Sequence, residues 1–123
     1  MIYKYGTKFD IPAADAIVEP VAPTPLAKTF LGETSVYNHD KRTVTSTFAA
    51  HDPASQVAPV QISLVVVSGI TLPDDPKTLF DDGYANTTTP FPAGNTDATE
   101  IELVVPAALK GGGVAVIVLG YPD

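Results

Sequence analysis

Between residues 12 and 25 the chain places four prolines, Pro12, Pro20, Pro23 and Pro25. Each fixes φ, removes a backbone donor and pushes its predecessor toward extended geometry. A stretch built this way is neither a helix nor a central strand, so polyproline-II or edge-strand structure is predicted. Apolar residues nevertheless persist through it (Ile11, Ile17, Val18, Val21, Leu26, Phe30, Leu31), which a solvated linker would not need. Ahead of the prolines, Tyr3, Tyr5 and Phe9 stand at odd positions with Lys4 and Lys8 between them, a period-two pattern broken by Gly6. Residues 1–32 therefore read as an extended, Pro-rich N-terminal arm. Tyr3, Tyr5, Phe9, Ile11, Ile17 and Val18 are its expected partner-binding anchors.

Residues 33–123 read as one β domain. Thr43–Phe48 alternates Val44, Ser46 and Phe48 against three threonines, and Thr99–Val105 sets Ile101, Leu103 and Val105 against Glu100 and Glu102. Within Pro59–Leu72 one face carries Val60, Ile62, Leu64 and Val66; the other begins with Gln61 and Ser63 and turns apolar at Val65 and Val67. Val114–Leu119 is apolar on both faces, which suits a central strand or one covered by another chain. Helix is limited to single turns: one opened by Asp75-Pro76 and ended by Asp82-Gly83, another over Pro106–Lys110. The predicted fold is all-β, an immunoglobulin-like or Greek-key sandwich.

Only 17% of the 123 residues are charged, below the usual quarter, so part of the surface is expected to be covered. The net charge of −7 falls wholly in residues 51–123, because five basic and five acidic groups balance in residues 1–50. Such an acidic chain has no cationic surplus with which to displace phosphate counterions, which argues against nucleic acid as a partner. The longest apolar runs are far too short to span a bilayer, no signal-peptide core follows Met1, and the chain has no cysteine. A protein made and kept in the cytosol, or assembled there, is expected.

Few residues offer chemistry. His39-Asp40 and His51-Asp52 are adjacent pairs, and neighbours on a strand point to opposite faces, so neither doublet is a base with its orienting acid. No G-x-S-x-G nucleophile motif is present. Asn38-His39-Asp40-Lys41 has the residues of a hairpin turn. Asp74, Asp75, Asp81 and Asp82 are weak candidate ligands for a hard cation, but their spacing fits no EF-hand loop, and no metal or other cofactor is expected. The loops at 73–97, with Phe80, Tyr84 and Phe91, offer the main alternative reading, a carbohydrate- or receptor-binding module.

The extended, Pro-rich Met1–Gly32 segment, aromatic at its start, precedes a compact β domain that ends in Gly113-Val-Ala-Val-Ile-Val-Leu-Gly-Tyr-Pro-Asp123. This arrangement resembles small bacteriophage virion proteins of the head-decoration and minor-capsid type. The resemblance implies a non-enzymatic, oligomeric protein of the virion, whose partners are its own copies, the major capsid protein, or both.

Overall fold

A computed structural model describes residues 1–17, 24–25, 30–52, 54–92, 98–106 and 111–123. Among the described residues eight strands form two antiparallel sheets, with almost no helix. The larger sheet runs β2 (Thr24–Pro25), β1 (Ile2–Ile11), β8 (Gly113–Tyr121), β5 (Gln61–Val67), β6 (Asn86–Pro90). The smaller runs β3 (Thr34–Asn38), β4 (Thr43–Phe48), β7 (Thr99–Val104).

The sheets pack face to face around one core. From the larger sheet come Phe9, Ile11, Ile62, Leu64, Val66, Ala115, Ile117 and Leu119, and from the smaller Val44, Phe48, Ile101 and Leu103. These are the alternate residues of each strand, as period two requires. A second cluster covers the opposite face of the larger sheet. There Val65, Val67, Val116 and Val118 lie under Leu79, with Leu72, Phe80 and Tyr84 packed around them. Leu79 projects from the one short helix, α1 (Lys77–Asp81). The Asp75 carboxylate accepts from the Lys77 amide at 3.0 Å, and Gly83, at φ 77°, closes the helix with its N–H on the Phe80 carbonyl at 3.1 Å. The two apolar faces of β8 thus have one explanation: the strand is central, and its outer face is covered by residues 72–84 of its own chain.

β1 serves both clusters. Its partners on β8 run Tyr5 to Val118 and then Lys8 to Val116, so Gly6 and Thr7 together oppose the single residue Ile117. This bulge inverts the parity of the strand. Tyr3 and Tyr5 pack on the outer cluster, whereas Phe9 and Ile11, also odd-numbered, enter the core between the sheets.

Two expectations change here. Residues 1–11 do not extend from the domain: they form a full strand of its larger sheet, because β8 offers them a complete backbone edge. Asn86–Pro90, read from sequence as loop, is a strand on the edge of β5, with Thr88 sharing a hydrogen bond of 2.7 Å with Ser63. Phe30–Gly32, which precedes β3, is a single 3₁₀ turn. The expected turn over Pro106–Lys110 and most of the proline-rich stretch lie outside the described residues.

Candidate functional site

The anchors expected to bind a partner are placed differently from one another. Tyr3 and Tyr5 are half-buried on the outer cluster, Tyr3 stacking on Phe80 at 4.8 Å between ring centroids and Tyr5 donating its hydroxyl to the Pro73 carbonyl at 2.7 Å. Burial, then the negative charges of Asp75 and Asp74, raise the Tyr5 pKa. Phe9 and Ile11 are core residues. Ile17 is fully exposed, at 103% of its reference area, and Val18 lies outside the described residues. Of the six, Ile17 alone is described and free of the chain's own packing.

The residues between β1 and Ile17, here called the strap, are tied to the β3–β4 turn. Arg42 donates from Nη1 to the Pro12 carbonyl at 2.8 Å and to the Tyr37 hydroxyl at 3.0 Å. His39 meets the Ala16 carbonyl through Nε2 at 2.7 Å and the Tyr37 hydroxyl through Nδ1 at 2.9 Å. The turn is shaped for this. Asn38 accepts from the Lys41 amide through Oδ1 at 3.1 Å, and Arg42 adopts the left-handed region at φ 52°. That conformation costs an arginine about 1–2 kcal/mol that glycine would be spared, so the guanidinium is retained against the local backbone preference. Sequence reasoning identified the turn and missed the cluster. Its signal was a Tyr near the end of a strand and a His two residues on, in the turn, followed by a cation where hairpins favour glycine.

Elsewhere the polar candidates serve structure. The Asp81 carboxylate pairs with Lys77 Nζ at 3.0 Å, and among the described residues no three acidic or histidine side chains come together to hold a metal ion. A shallow groove of about 390 Å³ runs past Tyr3, Asp74, Asp75 and Lys77. Of the aromatics at 73–97, Phe80 and Tyr84 pack on the outer cluster and Phe91 is in the core, edge-on to Phe48 at 5.0 Å. Phe91 therefore helps to plug one end of the sandwich, where Phe30 meets it at 6.2 Å and His51 at 5.4 Å. Glu33 is buried against the β1 bulge, its Oε1 accepting from the Thr7 amide and hydroxyl at 3.4 Å each. Burial, only partly offset by those donors and by Ser35, raises its pKa.

The outward face of the smaller sheet carries no such cover among the described residues. Its rows are Thr34, Thr47 and Glu100; Val36, Thr45 and Glu102; Asn38, Thr43 and Val104. Val36 and Val104 are 62% and 55% exposed.

Comparison with known proteins finds no matching family model, no matching curated protein and no matching solved structure. Fold and side-chain placement alone define the class, an all-β domain of two antiparallel sheets, the larger with its outer face covered by residues 72–84.

Proposed function

We propose that the chain is a non-enzymatic assembly protein that docks on a neighbouring subunit, its own copy or a capsid lattice, and so reinforces a virion shell. In this reading the fold is a Greek-key or immunoglobulin-like sandwich and the proline-rich segment after β1 is its arm. The observation that carries the proposal is the asymmetry of the two outer faces. The larger sheet is shielded by residues 72–84, while the smaller presents exposed Val36 and Val104 among threonines. A rigid β-branched face beside a pinned strap ending in exposed Ile17 suits a protein partner. The residues best able to do chemistry support the same reading, since His39, Tyr37 and Arg42 spend their hydrogen bonds on the chain itself. The virion setting comes from the architectural resemblance.

Deleting β1 is not a clean test, because Phe9 and Ile11 would leave the core with it. Charge at exposed positions is better. Val36→Asp and Ile17→Asp are expected to retain the wild-type melting temperature and to reduce self-association of the purified chain in mass photometry. A wild-type chain that stays monomeric across that concentration range and is missing from purified virions of its source overturns the proposal.

A further inference from the structure

The hydrogen bonds at the β3–β4 turn run in one direction, and that direction depends on a proton. The Ala16 carbonyl can only accept, so His39 Nε2 carries hydrogen. Arg42 Nη1 can only donate, so the Tyr37 oxygen receives it and turns its own hydrogen to His39 Nδ1, which must then be bare. The order is Arg42 to Tyr37 to His39 to Ala16. It is complete only with a neutral imidazole. A proton on Nδ1 would face the Tyr37 hydroxyl with a second donor, and that oxygen would then receive both a guanidinium and an imidazolium, at 3.0 and 2.9 Å. Two positive charges converging on one atom are relieved by moving apart, and each cation is also an anchor of the strap: Arg42 at Pro12, His39 at Ala16.

We propose that His39 is a proton-operated latch, which holds the strap to the β3–β4 turn when its ring is neutral and loosens it when the ring is charged. Histidine is the side chain whose ordinary titration falls between about pH 5 and 8. Among the described residues the other ionisable groups near the ring are Asp40 and Lys41 on the same turn and Asp15 on the strap, all three exposed. Solvent screens the charges of these exposed groups. The inference rests on hydrogen-bond direction and stands whether or not the strap has a partner.

The reporter is the Ala16 amide, which donates to the Ala13 carbonyl at 3.0 Å and closes the turn of the strap. Hydrogen exchange at this amide, expressed as a protection factor so that intrinsic pH dependence cancels, is measured on the full chain from pH 8 to 5. The expected loss is about fivefold, the net worth of one hydrogen bond. His39→Gln keeps a donor and cannot titrate; Tyr37→Phe removes the oxygen on which the cations converge. Both are expected to abolish the pH dependence, including in a variant with a lower starting protection. Imidazole nitrogen shifts of the wild-type protein are expected to show hydrogen on Nε2 at pH 8. Protection that is flat or rises on acidification, an equal loss in His39→Gln, or hydrogen on Nδ1 at pH 8 overturns the latch.

Discussion

Replacing Glu33 by glutamine probes a carboxyl group that the fold keeps 3% exposed, between β1 and β3. Desolvation raises its pKa above the ordinary 4.5, with the Thr7 and Ser35 donors opposing only in part. For an acid so shifted, the folded state holds a proton that the unfolded state has released at every pH between the two values. Stability is therefore fully present below 4.5 and is lost as pH rises toward the folded value, beyond which it levels off. One proton sets the slope, about 1.4 kcal/mol per pH unit at its steepest. The other acidic groups have their own pH dependence, so the quantity to measure is the difference between wild type and Glu33→Gln in chemical denaturation, from pH 4 to 8. Wild type is expected to lose stability relative to the variant as pH rises above 4.5, and the variant to equal or exceed it at neutrality. A flat difference, or a wild type that gains on the variant with rising pH, would mean that the ionised carboxylate is at home in its site, and the desolvation argument would fail.

Two further perturbations test the packing on the two faces of the larger sheet. A Cβ at Gly6 would stand 2.5 Å from Glu33 Oε1 and 3.1 Å from both Cβ and Cγ2 of Ile117; Gly6→Ala is expected to cost about 1–3 kcal/mol in equilibrium unfolding, and a neutral result would mean that the bulge is not seated as described. Leu79 is 1% exposed above the valines of β5 and β8. Leu79→Ala is expected to cost about 2–5 kcal/mol, whereas a loss well under 1 kcal/mol would show that residues 72–84 do not shield the sheet.

Elements with a local signature were legible from sequence. Thr43–Phe48 appears with the predicted bounds because alternation and β-branched residues suffice to mark it, and the single helical turn at 77–81 follows from Asp75, Pro76 and Gly83. What escaped depends on neighbours remote in sequence. The inward side chain at the centre of β3 is Ser35, a polar residue that becomes a core residue only because Ser46 lies directly opposite and shares a hydrogen bond of 2.7 Å with it. β6 has no apolar face; it is held by Ser63 and by Thr87, whose hydroxyl reaches the Val104 carbonyl in the other sheet at 2.7 Å. Composition cannot distinguish apolar surface covered by a partner from apolar surface covered by the chain's own residues 72–84. The cluster at the β3–β4 turn was hidden for the same reason, since Pro12 and Ala16 reach it through folding alone.

The inserted residue in β1 has a consequence for how this strand tolerates change. Removing either Gly6 or Thr7 would erase the bulge and leave plain alternation, with Tyr3 and Tyr5 still on the outer cluster and Phe9 and Ile11 still in the core. Removing both would rotate one half of the strand by half a turn, exchanging Tyr3 and Tyr5 with Ile2 and Lys4, or Phe9 and Ile11 with Lys8 and Asp10. The bulge is therefore the place where the first strand can lose a single residue and keep its facings, while composition on either side of it is free to drift independently, because each half answers to a different core.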